Sequence, residues 1–368
     1  VTEMVTGLDL VEWQLRVAAG EPLPLRQDEL KVHGHAIEAR IYAENPSRGF
    51  LPSTGTLKHM STPHAVEFTI DGDVRVDSGV RQGDVITPFY DPMIAKLIVR
   101  GHDRPDALVR MARALAECEI VGLHTNVEFL DRIVKSEPFT AGDLDTGLIE
   151  RHHDALFAPS SVSRKSAIVL ACAALLTREG GAAHGNSPWD ALSHWRMSGD
   201  YSQDLNWRAI DTDETLKVVF KKAGQSGNKR VELNGKSERY DWSHSGDTSF
   251  TVLLDNRLVK GHVFIDGDVF HVFLEGAAFA FEWQNLMAHA GDVEQEGRLT
   301  APMPGKVVGV LVEAGALVER GAPLIVMEAM KMEHTIVAPA TGIVGEILFE
   351  VGDQVADGAQ LLVLEISK

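Results

Sequence analysis

Glu328-Ala329-Met330-Lys331-Met332 stands midway through an internal repeat. The segment Ala301–Glu328 recurs as Ala338–Glu365 at a constant offset of 37 residues, Pro302 to Pro339. Gly305 pairs with Gly342, Val307 with Val344, and Glu313 with Glu350. Gly315 pairs with Gly352, Val318 with Val355, Gly321 with Gly358, Leu324 with Leu361, and Val326 with Val363. Each copy reads as short strands with glycines at the bends. Two copies predict a small pseudo-twofold β sandwich that displays one lysine, flanked by methionines, at its tip.

A primary amine can form a stable amide with the carboxyl group of a carrier cofactor such as biotin or lipoate. The protein then supplies position and mobility while the cofactor reacts. The plain alternative is a surface lysine on a β turn, the commoner role for this residue. A lysine at the centre of a repeat, inside Ala-Met-Lys-Met, is less ordinary. This stretch resembles the biotinyl domain of biotin-dependent carboxylases, and the resemblance makes Lys331 the biotin attachment site. Lipoyl domains share that fold but typically carry Asp-Lys-Ala at the tip.

The chain has 368 residues and a net charge of −18. That length holds two or three domains. The acidic balance speaks against nucleic acid or an anionic membrane as partner. Cys118 and Cys172 are far apart, without a second cysteine at metal or redox spacing, so a reducing compartment is expected. Asn45-Pro46-Ser47 is no sequon, because proline fills the forbidden position. No signal peptide is read at the start, and the longest apolar run, Ala167–Leu176, is too short to span a bilayer. The first residue is Val1, which reads as a fragment or a processed piece.

Three regions follow from the patterning. The first, residues 1–157, alternates helical and strand signals and predicts a mixed α+β module. Leu10–Ala19 reads as a helix stopped by Gly20, Ala36–Ala43 and Ile94–Val99 as strands, and Pro105–Ala116 as an amphipathic helix. That last helix carries Leu108, Met111, Ala112 and Leu115 on one side. Val66–Ile70 and Val74–Val76, flanking Asp71-Gly72-Asp73, read as a hairpin. The second region, 161–287, opens with Arg164–Thr177, apolar nearly all round its middle and therefore in need of cover on every side. Strand-like runs follow: Leu216–Phe220, Phe250–Leu254, Leu258–Ile265 and Val269–Leu274. They are punctuated by Asn234-Gly235, Asp266-Gly267 and Glu275-Gly276. Antiparallel strands wrapped around the helix are expected, with a sandwich packed on one side of the helix as the alternative. The third region, 298–368, is the repeat.

The resemblance extends beyond the tip. Val1-Thr2-Glu3-Met4, Gly34-His35-Ala36-Ile37-Glu38-Ala39-Arg40-Ile41 and Phe50-Leu51-Pro52-Ser53 look like the late part of an ATP-grasp biotin carboxylase domain. So do Tyr90-Asp91-Pro92-Met93-Ile94-Ala95-Lys96-Leu97 and Gly122-Leu123-His124-Thr125-Asn126, in the right order. The resemblance places Arg40 against the biotin ureido oxygen. A fixed guanidinium there offsets negative charge where it develops. Tyr90 and Asp91 fall near the same pocket without an assigned role. The family's ATP loop, magnesium-binding glutamates and base precede the Val-Thr-Glu-Met stretch, so ATP and Mg²⁺ are expected of a longer subunit, and this chain is expected to lack the ATP-site half. Taken alone, Arg40 reads as a surface or salt-bridged arginine.

Other patterns are weaker. His33 and His35 could share a strand face and hold a metal, but a structural role is preferred. His152 and His153 would point to opposite sides of a strand. Asp71, Asp73 and Asp77 suggest a calcium loop, but position 75 is arginine and the glycine and terminal glutamate are misplaced. No metal site is assigned.

The second region is similar in position and pattern to the domain that docks the carboxyltransferase subunit in acyl-CoA carboxylases, known there as a helix inside an antiparallel barrel. The fold class implied is multidomain α+β: the C-terminal part of an ATP-grasp domain, a helix-in-barrel domain and a biotinyl barrel-sandwich hybrid. His59–Pro63, Val74–Val80 and Ile120–Asn126 look most like the alpha subunit of 3-methylcrotonyl-CoA carboxylases, with the geranyl-CoA and propionyl-CoA enzymes as competitors. The resemblance implies a carboxyltransferase beta subunit, a biotin protein ligase, an acyl-CoA reached through the beta subunit, and a hetero-oligomer. The implied place is the bacterial cytoplasm, or the mitochondrial matrix in a eukaryote. A carrier module with no catalytic step of its own is the alternative from another class.

Overall fold

The computed structural model describes residues 1–158, 160, 162–181, 201–222, 228–246, 248–284, 298–301, 305–329, 332–356 and 358–366. Its chain separates into two compact units, Val1–Phe157 with Asp292–Lys368, and Ala158–Gly291.

In the first region a three-stranded antiparallel sheet places Met93–Gly101 between His35–Tyr42 and Val74–Ser78. Along His35–Tyr42, Ile37, Ala39 and Ile41 are buried while Glu38 and Arg40 face away from that core. The buried side packs the helix Arg104–Ala116 through Ala107, Leu108, Met111 and Leu115. Asp103 caps this helix by accepting from the Asp106 amide at 2.9 Å, and Pro105 fills its first turn. Helix and strand meet closely at Gly101, where an added Cβ would lie 2.4 Å from the Ala107 nitrogen. On the opposite side of the sheet, the short helix Thr2–Thr6 lays Met4, 1% exposed, against the far end. Leu10–Ala18 forms the expected helix, capped by Asp9, and none of its residues is buried.

The expected hairpin is not formed. Val66–Ile70 is not a strand: Phe68 adopts φ 51° and is exposed. Val66 makes backbone bonds to Val74 and Val76, and Val74–Ser78 pairs instead with the distant strand Met93–Gly101. The side chains of Asp73 and Asp77 are engaged by arginines. Asp73 meets Arg100 and Arg110 at 3.2 and 2.7 Å, and Asp77 meets Arg75 at 2.7 Å. His152 and His153 border two short helices rather than lying in a strand.

The second unit is an eight-stranded antiparallel barrel in sequential order, closed by pairing Tyr201–Ala209 with Ala277–Trp283. The helix Arg164–Gly181 fills it, and every residue from Ala167 to Leu176 is at most 2% exposed. All eight strands send inward residues into this one core, among them Trp207, Val218, Val231, Tyr240, Val252, Val263, Phe270 and Phe281. The barrel, not the sandwich alternative, is therefore the structure. Polar ends tie the helix in place. Tyr240 donates to the Val169 carbonyl at 2.8 Å, Trp242 donates to Thr177 at 3.0 Å, and Arg178 bonds the Gly267 carbonyl at 2.7 Å. At Gly261 an added Cβ would meet the Leu170 Cδ1 atom at 2.8 Å, so glycine lets strand and helix touch.

The third region forms two four-stranded sheets. Gly305–Val310, Leu317–Val318 and Pro323–Ala329 recur as Gly342–Ile347, Gln354–Val355 and Gln360–Ile366, so the repeat carries one sheet onto the other. Its buried core is six repeat-related pairs: Ala301 with Ala338, Val307 with Val344, and Val318 with Val355, then Leu324 with Leu361, Ile325 with Leu362, and Met327 with Leu364. Gly315 and Gly352 bend the chain with φ of 86° and 107°.

Candidate functional site

Two places carry the residues that the sequence singles out. The first is the tip of the repeat. Pro323–Ala329 and Met332–Val337 pair antiparallel in a register that ends with Ala329 opposite Met332. Met330 and Lys331 make up the chain between those paired positions and lie outside the described residues.

The second is the side of the three-stranded sheet that faces away from the helix Arg104–Ala116. Glu38, Arg40 and Tyr42 follow each other at strand spacing, so all three share this side. The Arg40 side chain is 57% exposed and its Nε lies 3.4 Å from a Glu38 carboxylate oxygen. Hydrogen bonding to Tyr42, then to Glu38, holds the guanidinium more firmly in its charged form. Directly across the register stands Lys96, and on the far side of Lys96 stands Asp77. Glu44 lies just beyond Tyr42, in the short strand Glu44–Asn45. Burial, then the nearby Asp91 charge, raises its carboxyl above the usual range. Asp91 accepts from the Met93 amide at 2.9 Å, which shapes the turn into the central strand, and Tyr90 is 81% exposed.

The Tyr90–Asp91 turn leads into the strand Met93–Gly101 that pairs with the Arg40 strand, while His33 and His35 do not converge on a metal. The His35 ring lies 3.2 Å from Arg104, and the described contact of His33 is its amide to the Val5 carbonyl. Among the described residues no group of three metal-ligating side chains comes together. The sequence reading passed over Glu38, Tyr42 and Lys96. Alternation along Ala36–Ala43 would have found the first two; Lys96 needs the register between two strands more than fifty residues apart.

Residues 38–151 match the biotin carboxylase C-terminal domain, and residues 165–285 match the BT domain of the methylcrotonyl-CoA carboxylase alpha subunit. Residues 297–364 match the domain of biotin-requiring enzymes. The chain belongs to the biotin-dependent carboxylase family. Among its relatives, the mitochondrial methylcrotonoyl-CoA carboxylase subunit alpha of Dictyostelium discoideum is 38% identical over 357 residues, covering 91% of this chain and 49% of that protein. The Mus musculus counterpart is 37% identical over 349 residues, with 91% and 48% covered. The mitochondrial propionyl-CoA carboxylase alpha chain of Caenorhabditis elegans is 32% identical over 357 residues, with 91% and 48% covered. The chain spans about half the length of the curated relatives it matches. A solved biotin carboxylase domain, from Hydrogenobacter thermophilus 2-oxoglutarate carboxylase, is 39% identical at a TM-score of 0.41, covering 44% of this chain and 34% of that one. Among the described residues no helix is long and apolar enough to cross a membrane.

Proposed function

We propose that this carboxylase-family chain is the carrier-bearing portion of an acyl-CoA carboxylase alpha subunit that acts on 3-methylcrotonyl-CoA. Three domains are proposed, at residues 1–157, 161–287 and 298–368. The observation that carries the reading is the order of three family matches, with a methylcrotonyl-type BT domain between the carboxylase and carrier parts. The higher identity to methylcrotonoyl-CoA than to propionyl-CoA carboxylases supports the substrate.

In this reading the Lys331 amine forms the amide that holds biotin. Biotin, when bound, supplies a ureido nitrogen that accepts a carboxyl group derived from bicarbonate at the expense of ATP with Mg²⁺, and later gives it up. Arg40 contributes a fixed, permanently charged guanidinium, steered by Glu38 and Tyr42, that offsets negative charge on the ureido oxygen. The barrel presents a rigid docking surface to a carboxyltransferase beta subunit, where the acyl-CoA is bound. A biotin protein ligase loads Lys331. Eukaryotic relatives carry mitochondrial names, and a mitochondrial matrix or bacterial cytoplasmic setting is proposed.

The intact subunit, reconstituted with its beta partner, is to be assayed side by side with 3-methylcrotonyl-, geranyl-, propionyl- and acetyl-CoA. Preference for the first is expected. A clear preference for another removes the substrate assignment, and no biotin-dependent turnover on any of them removes the carboxylase reading.

A further inference from the structure

Arg40 and Lys96 are Cα partners on adjacent antiparallel strands and lie on the same side of the sheet. Side chains so paired have Cβ atoms about 4.5–5.5 Å apart, and like charges there are unfavourable. The acids nearest Lys96 on this side pair with arginines. Glu38 pairs with Arg40 itself at 3.4 Å. Asp77, the other neighbour of Lys96, is held by Arg75 through two bonds of 2.8 Å and also accepts from the Phe68 amide. Glu3 pairs with Arg75 at 2.7 Å. Among the described residues Lys96 has no ion pair or hydrogen bond through its ammonium, although it is half-buried. The helix Thr2–Thr6 covers the other end of this side, bonding Arg100 through the Met4 carbonyl, and the Arg40 side chain is 57% exposed.

The barrel shows how a sheet normally settles such a register. Lys221 stands opposite Arg230, but Lys221 also reaches Glu232 at 2.7 Å. Lys222 stands opposite Lys229, and Lys229 reaches Asp241 at 2.8 Å. On the Arg40 side Glu38 reaches Arg40 in the same way, but among the described residues no acid reaches Lys96. An anion from solution would, and the proposed function supplies one: negative charge on a ureido oxygen and on the carboxyl group beside it. A planar guanidinium and a compact ammonium set side by side suit two adjacent oxygens.

We propose that Lys96 is the second cation of the Arg40 site, the two together seating the carboxylate-type oxyanion that the reaction moves. This rests on the carboxylase reading, and two arms separate them. In the first, ¹³C-bicarbonate is titrated with the 368-residue chain and its line width followed. Saturable broadening is expected, reduced about tenfold or more in Lys96→Met and in Arg40→Gln and partly restored in Lys96→Arg. The thermal midpoint of Lys96→Met should be unchanged or raised, because a repulsion is removed. Equal broadening with Lys96→Met, or none with the unaltered chain, overturns the seat. A midpoint several degrees lower assigns Lys96 a structural role instead and also overturns it. In the second arm the intact, biotin-loaded subunit carrying Lys96→Met should show a raised KM for bicarbonate with its acyl-CoA preference kept. Normal KM and kcat there count against Lys96. An inactive unaltered subunit whose first arm still succeeds leaves an anion seat and overturns the carboxylase reading.

Discussion

The barrel and the three-stranded sheet are both antiparallel, and they use their two sides in different ways. The barrel closes on itself, so its inner side is sealed around one helix and its outer cations find acids. The sheet covers one side with a helix and, among the described residues, leaves Arg40 largely exposed beside Lys96 on the other. A closed side stabilises and does nothing else. An unfinished one leaves charge available to a ligand. The third region is another case: its strands Pro323–Ala329 and Met332–Val337 pair up to Ala329 opposite Met332, and Lys331 stands between them in sequence. Substitutions in the open places should therefore remove chemistry and spare stability, and those in the closed place should do the reverse.

The largest effect is expected at Lys331. Arginine keeps the positive charge but offers no amine that forms the biotin amide. Lys331→Arg should therefore abolish labelling by a biotin ligase, with the thermal midpoint unchanged. Intact-mass analysis reads the result. A biotin adduct surviving in the variant would move the attachment site elsewhere.

Arg40→Gln comes next. Loss of one preorganised group facing a developing charge typically lowers turnover by about 10²–10³-fold. Biotin carboxylation by the intact subunit should fall on that scale while the sheet, whose core is on the other side of the strand, keeps its stability. Unchanged turnover would remove Arg40 from the chemistry and leave it the surface arginine that its exposure alone suggests.

Legibility in the sequence followed the range of the interactions. The repeat was readable because each core residue has a partner one period away, Val307 with Val344 and Leu324 with Leu361. The barrel was readable because a helix apolar all round must be enclosed, and turn pairs such as Asp266-Gly267 and Glu275-Gly276 do lie between paired strands. Val66–Ile70 misled because Val66, Phe68 and Ile70 alternate like a strand, while the true partner of Val74–Ser78 lies further along the chain. Lys96 stayed hidden for the same reason: it lay within a recognised stretch, but its place opposite Arg40 is a long-range register.

In the closed place the sign reverses. Leu170 is fully buried on the enclosed helix, close against Gly261. Leu170→Ala should cost about 2–5 kcal/mol, the range for such cavities, with Lys331 labelled as before. Denaturant unfolding of the chain measures the cost. A loss below about 1 kcal/mol would mean that the barrel collapses onto the gap and that its core is less rigid than its closure suggests.

The smallest effect concerns the outer surface of the barrel. The Lys229 ammonium bonds Asp241 at 2.8 Å and sits 4.1 Å from the centre of the Trp242 ring. The hydrogen bond from Lys229 lowers the Asp241 carboxyl below its ordinary value, against a smaller opposing effect of burial. The folded state therefore binds this proton less readily than the unfolded chain, in which an aspartate titrates near about 3.9. The pair's contribution is present above that pH and is lost as pH falls through the depressed folded value. Asp241 is well exposed, so the contribution belongs with surface pairs, at most about 1 kcal/mol. Thermal midpoints of the chain and of Lys229→Met should differ slightly at pH 6 and converge as the carboxyl takes up its proton. High salt should shrink the gap at pH 6, since screening at 1 M reaches about 3 Å. A gap that persists unchanged through acid and salt would assign the effect to the ammonium over Trp242, and the outer side of the barrel would then be held by stacking rather than by paired charge.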